Sequence, residues 1–388
     1  MALKVKKNLI VLLSMILTGV FAFSGCAAIE NFFGKNKKET AVDFVVEVKT
    51  GRDPIVLQLT DTQIIDSSQQ RTEGRISEEE TEYWAKDKKE ERCYKYVREI
   101  INRTRPDLII LTGDIVYGEF DDDGSCLTEF VAFMDSFEIP WAPIFGNHEN
   151  ESRMGVDWQC KQFLKAKHCL FKQGDLTGNG NYSIGIKQGG KIVRAFYMLD
   201  SNGCGNPSDE TLASNHFKRS MGFADDQIDW YNRSIQTLKA KHPEVKISFA
   251  FHIQMNIFAE ALEEKYDFYS GSLDLDQEGV VGDFGYVGHR FDGWDRIGIV
   301  WENLKELGVD SMFVGHEHSI SSSMVYEGIR LQFGQKSSTY DAINYIGERG
   351  EIIISSLDAG MPLVGGTVIQ ISSEDASIVP YIVLCEEE

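Results

Sequence analysis

The sequence lacks the excess of basic residues that binding to a nucleic-acid backbone requires. It contains 39 Lys and Arg against 60 Asp and Glu, which gives a formal net charge of −21 at pH 7. No stripe of lysine and arginine follows residue 40, and a strongly acidic chain repels polyphosphate backbones. We therefore expect no nucleic-acid partner, although a bound metal ion would reverse the local field and could still attract a phosphate group.

The sequence also lacks cysteine pairs of the CxxC kind and the Gly-Lys-Ser/Thr signature of a phosphate-binding P-loop. The first absence argues against a thiolate-bound zinc site, and the second argues against a P-loop nucleotide site. The cysteines beyond position 26 are scattered, and we interpret most of them as small buried apolar side chains whose pairing stays open: Cys93, Cys126, Cys160, Cys169, Cys204 and Cys385.

The N-terminal apolar run, Leu9 to Phe23, is too short to favour a membrane span and is typical of a signal peptide. Lysines precede it, and it ends at Phe23-Ser24-Gly25-Cys26, which resembles the lipobox of bacterial lipoproteins although Phe23 replaces the usual Leu. The pattern predicts removal of residues 1–25 and a lipid on Cys26. The alternative is an uncleaved anchor with an incidental cysteine. Either way we expect an extracytoplasmic protein that its N-terminus anchors to a membrane of the bacterial cell envelope.

Residues 26–43 are polar and aperiodic, as in a tether from a lipid surface. Beyond them, short apolar runs alternate with amphipathic stretches, so residues 44–388 are predicted to form one α/β domain. The alternation predicts strands over Ile55–Thr60, Leu108–Thr112, Trp141–Phe145, Ile247–Phe251 and Met312–Val314, and helices over Lys86–Arg105, Leu127–Phe137, Ile228–Leu238 and Ile297–Leu307.

Two further features complete the predicted organisation. Asp225 is a candidate N-cap for the third helix, and the tail from Thr367 to Leu384 alternates as strands of a closing sheet do. Residues 64–92 and 258–294 are predicted to be long connections, which in compact domains usually serve a site.

Five short polar segments each follow a predicted strand. Ligands gather at the carboxyl ends of strands in open α/β sheets, so the five segments predict one shared site. Carboxylates, imidazoles and an amide oxygen suit Mn, Fe or Zn, and the glycines permit tight turns. The segments are Asp61-Thr62-Gln63, Gly113-Asp114-Ile115-Val116-Tyr117, Gly146-Asn147-His148-Glu149, His252, and Gly315-His316-Glu317-His318.

In this order, the segments resemble the calcineurin-like metallophosphoesterase superfamily over residues 53 to 340, and within it the branch related to purple acid phosphatases. The resemblance implies a four-layer α/β/β/α sandwich of two mixed sheets with helices outside. It also implies hydrolysis of a phosphate mono- or diester at two divalent or mixed-valence metal ions, through attack by a hydroxide that bridges them.

The resemblance assigns the metal ligands and one catalytic residue. Asp114 is expected to bridge the two ions, and His148 is expected to lie beside the scissile phosphate and assist the leaving group. The remaining ligands are Asp61 and His318 for the first ion, and Asn147, His252 and His316 for the second.

Gln63 departs from the family pattern, because most members carry a histidine ligand at this position. Its amide oxygen is a weaker donor than imidazole, which alone predicts a weakened first site. Tyr117 offers an alternative, since the spacing Gly-Asp-x-x-Tyr is similar to purple acid phosphatases, whose tyrosine binds ferric iron as phenolate. Gln63 is therefore a ligand or a bystander, and Tyr117 is a ligand or a packing residue.

Two functional alternatives stay open at the level of sequence. One is a binding or sensing protein that keeps the fold but has an impaired first metal site. The other lies within the enzyme class and concerns a preference for diesters, such as lipid headgroups or nucleotides, over monoesters.

Overall fold

The structure is a computed structural model that describes residues 41–203, 222–276 and 281–386. The predicted signal peptide 1–25, the lipidation site Cys26 and most of the tether lie outside the described residues, as does Cys204. Within the described residues, no helix is both long enough and apolar enough to cross a membrane.

Seventeen strands are present in the described part of the chain. Their bounds are β1 Phe44–Glu47, β2 Ile55–Leu59, β3 Leu108–Leu111, β4 Trp141–Pro143, β5 Tyr182–Gln188, β6 Lys191–Met198, β7 Lys246–Ala250, β8 Leu273–Asp274, β9 Phe284–Val287, β10 Val309–Val314, β11 Ile320–Tyr326, β12 Ile329–Phe333, β13 Ile343–Ile346, β14 Ile352–Ser355, β15 Met361–Pro362, β16 Gly365–Ile371 and β17 Ile378–Leu384.

Seven α-helices and three short 3₁₀ turns connect these strands within the same residues. The helices are α1 Glu78–Tyr83, α2 Lys86–Thr104, α3 Ser125–Asp135, α4 Val156–Lys165, α5 Asp225–Lys241, α6 Ile257–Tyr266 and α7 Ile297–Glu306. The 3₁₀ turns are Ser67–Gln69, Gly118–Phe120 and His148–Glu151.

The strands form two large mixed sheets and one small sheet. The five-stranded sheet has the order β17-β16-β2-β3-β4, in which β2, β3 and β4 run parallel. The nine-stranded sheet has the order β1-β5-β6-β7-β10-β12-β11-β9-β8, with a parallel centre of β6, β7, β10 and β12. A third sheet, β14-β13-β15, was not anticipated from the sequence.

The layering follows from the alternation of side chains along β6. Phe196 and Met198 belong to the core shared with the five-stranded sheet, whereas Ala195 and Tyr197 belong to the core shared with α5 and α7. Successive side chains of a strand point to opposite faces, so this sheet is covered on both sides. Helices α2, α3 and α4 pack their apolar side chains into the first core. The predicted four-layer α/β/β/α sandwich is confirmed.

Helix α2 shows how local sequence sets these elements. Cys93, Val97, Ile100 and Ile101 recur at helical spacing and are all buried, so one face of the helix packs against the five-stranded sheet. The helix ends at Arg105, which adopts a left-handed conformation before Pro106. Proline cannot continue a helix, and it disfavours helical backbone in the residue before it.

Three local predictions are wrong. Asp225 is the first residue of α5 rather than its N-cap, because Ala224 holds that position and the side chain of Gln227 accepts its backbone N–H. The stretch 258–294 is more ordered than a connection, since it contains most of α6 and two strands. The stretch 64–92 likewise contains α1 and the start of α2.

Candidate metal centre

The five polar segments converge from two different sheets. Asp61, Asp114 and Asn147 follow β2, β3 and β4 of the five-stranded sheet, whereas His252 and His316 follow β7 and β10 of the nine-stranded sheet. In each sheet the contributing strands run parallel. Their carboxyl ends therefore meet at one edge of the sandwich, where the sequence predicted a site.

Two groups of potential metal ligands form at this edge, and they share one carboxylate. The His252 group consists of Asp114, His252 and His316, and the Asp61 group consists of Asp61, Asp114 and His318. Within each group, the candidate ligand atoms all lie within 4.8 Å of one another. The convergence of Asp114 with His252 and His316, on which the sequence interpretation depended, is therefore present.

The carboxylate of Asp114 fits a bridging position between two cations. Its Oδ1 accepts the backbone N–H of His148 at 2.9 Å. Its Oδ2 is buried and lies 3.0 Å from Nε2 of His252, within reach of a hydrogen bond when that imidazole is protonated. A buried anionic oxygen is costly unless a positive charge compensates it, either an imidazolium or a bound metal ion.

His252 is oriented from behind by the backbone. Its Nδ1 lies 2.7 Å from the carbonyl oxygen of Thr112, to which a protonated Nδ1 donates a hydrogen bond. The other ring nitrogen, Nε2, then faces Oδ1 of Asn147 at 3.2 Å. Metal-binding histidines are commonly held in this way, with the far nitrogen on a carbonyl or carboxylate group.

The Asp61 group is held by contacts between β2 and β10. The backbone N–H of His316 donates to the Asp61 carboxylate at 3.1 and 3.2 Å, and Thr60 donates its hydroxyl to the same carboxylate. Nε2 of His318 lies 3.5 Å from Oδ1 of Asp61, and its Nδ1 lies 3.6 Å from Oδ2 of Asp341. Asp341 thus reaches this group from a part of the chain in which the sequence predicted no site residue.

The backbone at the site is strained in a way that brings the side chains together. Asp61, Gln63, Asp114 and His316 all have positive φ angles, between 41° and 75°. Such angles cost non-glycine residues free energy and concentrate at functional sites. Close approach also requires Gly146, because a Cβ there would lie 2.2 Å from Oδ1 of Asp114.

Electrostatics at the site favour ionised carboxylates beside imidazoles. Burial alone would raise the pKa of the Asp61 carboxyl, but His318 and His252 outweigh burial and hold that pKa at about 2. Burial is likewise outweighed at Asp114, whose pKa is well below its usual range. Burial lowers the pKa of His252, but the Asp114 charge outweighs it and raises that pKa to about 9. Protons and metal ions compete for such ligand atoms.

His148 lies at the side of the two groups. Its Nδ1 lies 2.7 Å from Oε2 of Glu151, and its Nε2 lies 3.9 Å from Oδ2 of Asp114. Burial disfavours the imidazolium form, but the charges of Glu151 and Asp114 outweigh burial and raise the pKa of His148 to about 10. This environment therefore favours the protonated ring, which is the form that can donate a proton.

Tyr117 forms the wall beside His148. The two ring centroids are 3.9 Å apart, and the Tyr117 hydroxyl accepts a hydrogen bond from Nη2 of Arg75 at 2.7 Å. Burial raises the pKa of the Tyr117 phenol well above its usual value. Arg75 is also paired with Glu119, so the hydroxyl belongs to a charged cluster to which the 64–92 stretch contributes Arg75.

Gln63 is turned toward a buried lysine. Its Oε1 accepts a hydrogen bond from Nζ of Lys336 at 2.6 Å, and the same Nζ donates to the carbonyl oxygen of Asp61 at 2.9 Å. Nε2 of Gln63 is buried and has no hydrogen-bond partner among the described residues. One lone pair of the amide oxygen that could have bound a metal is therefore used by the lysine, which weakens that oxygen as a ligand.

Glu149 has a structural role that the sequence analysis did not assign. Its carboxylate accepts backbone N–H groups of Asp114, Ile115 and Gly146, so one side chain joins two of the site's loops. Burial, followed by the charge of Asp114, raises the pKa of Glu149 to about 7. Its place in Gly146-Asn147-His148-Glu149 was the available signal, whereas no motif marked Lys336, Arg75 or Asp341.

The chain is similar in sequence to known proteins over the segments that carry the two ligand groups. A family model described as calcineurin-like phosphoesterase matches residues 55–319. A probable inactive purple acid phosphatase 28 from Arabidopsis thaliana is 38% identical over 265 residues, covering 62% of this chain and 60% of the relative. Phosphatase DCR2 from Saccharomyces cerevisiae is 24% identical over 235 residues, covering 58% of this chain and 38% of the relative.

Each of these two matches spans less than two thirds of the relative's own length. Among solved structures, a dimetal phosphatase from Danio rerio aligns over 82% of this chain and 93% of its own. The identity is 12% and the TM-score is 0.45.

Proposed function

Because the chain belongs to the calcineurin-like phosphoesterase family, we propose that it hydrolyses phosphate mono- or diesters at a pair of metal ions. The observation that carries the proposal is the sharing of Asp114 by the two ligand groups. A carboxylate common to two adjacent sites is the arrangement that a dinuclear hydrolytic centre needs.

The proposed ligand set follows from the two groups. One ion would be held on the Asp61 side, and the other on the His252 side with the addition of the amide oxygen of Asn147. These donors suit Mn, Fe or Zn, since they combine imidazoles with carboxylates and include no thiolate. The two sets are Asp61, Asp114 and His318, and Asp114, Asn147, His252 and His316.

The metal pair would supply a nucleophile from water at neutral pH and neutralise charge that develops on the phosphoryl oxygens. The chain's own task is to move a proton to the departing oxygen. His148 is suited to this task, because Glu151 accepts from its Nδ1 and leaves Nε2 directed toward the metal groups. Proton donation of this kind contributes about 10²- to 10⁴-fold to a rate.

The decisive experiment combines metal analysis with two substrates. Protein purified without chelators is analysed for metal content and assayed with an aryl phosphate monoester and the corresponding diester. We expect metal-dependent release of the phenol, and a loss of about 10²- to 10⁴-fold in His148→Ala with metal content unchanged. Absence of hydrolysis of both substrates by metal-loaded protein would overturn the proposal.

Tyr117 adds a hypothesis about iron. If its phenolate binds Fe(III), an iron-loaded sample should be coloured, and Tyr117→Phe should bleach it. The hydrogen bond from Arg75 to the Tyr117 hydroxyl supports the opposite role, in which Tyr117 lines the wall beside His148. Absorption spectroscopy of the iron-loaded protein separates the two roles, since a colourless ferric site removes the phenolate.

A second candidate function is a binding or sensing protein with an impaired Asp61 group. The contact between Gln63 and Lys336 favours it, and the names of relatives include the word inactive. For a binding or sensing protein, we expect at most one tightly held ion and no turnover of either substrate. For a phosphoesterase, we expect turnover by the metal-loaded protein.

We also propose that the protein is an exported lipoprotein anchored to a membrane through Cys26. The basic start, the apolar run and the Ser24-Gly25-Cys26 ending support this location. Labelling with a fatty acid in a bacterial host should mark the wild-type chain and not Cys26→Ala. Equal labelling of both chains would contradict the proposal.

A further inference from the structure

A buried lysine stands directly behind one of the two ligand groups. Lys336 is 2% exposed, and its Nζ donates both to the backbone carbonyl of Asp61 and to Oε1 of Gln63. Lysine is almost never fully buried without partners. Here the partners are the backbone of a proposed ligand and the residue that takes the place of the family's histidine.

The backbone fixes this position firmly. Lys336 forms a parallel bridge with Thr60 at the end of β2, and its carbonyl accepts the N–H of Gly365 at 3.0 Å. The next residue, Ser337, donates its N–H to Thr60 and accepts the Thr60 N–H on its hydroxyl. The side chain therefore projects into the base of the Asp61 group from a segment bonded on both sides.

The contact changes what Gln63 can offer a metal. Its amide oxygen, the atom that would bind a cation, accepts the lysine's hydrogen bond, and its Nε2 can only donate. The Asp61 group is left with two carboxylates and one imidazole. The His252 group has two imidazoles and the shared carboxylate, and Asn147 lies within 3.2 Å of it.

We propose that Lys336 and Gln63 make the two metal positions unequal, so that the His252 group holds one ion tightly and the Asp61 group holds a second, exchangeable ion. The inference rests on the proposed function, because it concerns the ions of that site. The lysine acts by engaging the amide oxygen of Gln63, so that an N–H donor rather than a ligand stands behind the Asp61 group.

Unequal positions would make activity follow the supply of metal. The tightly held ion would stay bound when metal is scarce, and catalysis that needs both ions would begin only when the second position fills. Lys336 is a positioning residue in this proposal, since it acts through Gln63 rather than on the substrate.

The test measures metal binding directly rather than activity. The purified chain is stripped with a chelator, dialysed and titrated with Mn²⁺ by calorimetry, with elemental analysis after equilibrium dialysis. Electron paramagnetic resonance distinguishes a single Mn²⁺ from a coupled pair. We expect two binding events whose affinities differ by at least about tenfold, with isolated Mn²⁺ signals at low loading.

Paired substitutions restore the missing ligand and remove the hydrogen bond from the lysine. In Gln63→His combined with Lys336→Met, we expect the weaker affinity to rise by about 10- to 100-fold, with a coupled signal at lower loading. Gln63→His alone keeps the lysine and should give a smaller rise, which preserves the test if the double variant does not fold. Lys305→Met, which removes a lysine paired with surface Glu302 and Glu327, is the matched control and should change neither affinity.

Each other outcome has a defined meaning. Two equal, tight affinities in the wild-type chain would overturn the inference and leave the proposed phosphoesterase intact. Unequal affinities that no Gln63 or Lys336 variant alters would also overturn it. A chain that binds no metal at all would overturn both the inference and the proposed function.

Discussion

The His252 group and the Asp61 group share a carboxylate but differ in what stands behind them. Behind His252 is the backbone carbonyl of Thr112, a neutral acceptor that orients the ring. Behind Asp61 is Nζ of Lys336, a donor that engages Gln63. The two halves of one site therefore differ both in their ligands and in the groups that support those ligands.

The shared carboxylate should produce the largest effect. Asp114→Asn removes the anionic oxygen common to both groups, so we expect loss of both metal ions and a fall in turnover of at least about a thousandfold. Elemental analysis and the aryl phosphate assay check this. Asp229→Asn, at an exposed position on α5, is the control. Retention of two ions by Asp114→Asn would show that Asp114 does not bridge.

Removing one histidine from each group should affect the two metal affinities differently. His252→Ala should weaken the tighter affinity by at least about a hundredfold, because the loss of a ligand exceeds the loss of a supporting contact. His318→Ala should weaken the second affinity and leave one ion per chain. Calorimetric titration with Mn²⁺ checks both variants. Identical losses in the two variants would contradict the difference between the groups.

Asp114 and Asp121 are two buried aspartates in the connection between β3 and α3, and their pKa values shift in opposite directions. Asp114 has imidazole neighbours and a lowered pKa, whereas Asp121 has backbone donors at the start of α3 and a pKa that burial raises to about 6. The raised folded-state pKa means that the folded chain binds more protons than the unfolded chain between about pH 4 and pH 6.

The contribution of Asp121 to the free energy of unfolding should therefore become less favourable as the pH rises. We expect the free energy of unfolding of metal-free wild type to fall, relative to Asp121→Asn, by about 2 to 3 kcal/mol between pH 4 and pH 7. Urea unfolding of both chains at several pH values measures this difference. A difference that stays constant with pH would mean that Asp121 titrates normally.

The smallest effect is expected at Tyr117. If it lines the wall, Tyr117→Phe removes one hydrogen bond to Arg75, worth about 1 kcal/mol, and should lower kcat/KM by roughly fivefold with metal content unchanged. Tyr269→Phe, at an exposed tyrosine, is the control. Loss of an ion from Tyr117→Phe would instead assign the phenolate to the Asp61 group.

The sequence was sufficient to predict which residues follow the strand ends. It was insufficient to predict contacts between distant segments, such as that of Lys336 with Thr60. Asp114 and His316 could be placed because each follows an apolar strand and a glycine, and both lie where expected. Lys336 could not be placed, because its position depends on the bridge to Thr60 in a distant strand. No local pattern around Gly334-Gln335-Lys336 marks a metal site.

The missed elements have local physical causes. Strand β9 contains Gly285, and glycine is depleted in strands, so its sequence did not indicate one. Helix α6 lies within the stretch interpreted as a connection, although Asn256, a favoured N-cap residue type, precedes its apolar run. The third sheet is built from strands of two to four residues, which are too short to produce a clear alternation.

The origin of the ligands in two separate sheets has a mechanical consequence. An ion bound by Asp114 and His252 would link the five-stranded sheet to the nine-stranded sheet, because each sheet supplies one of the two ligands. Such an ion binds the folded chain, in which the two sheets are packed together, and not the unfolded chain. The melting temperature should therefore rise with the logarithm of the metal concentration. By the same linkage, a displacement of one sheet relative to the other would lower the affinity for the ion.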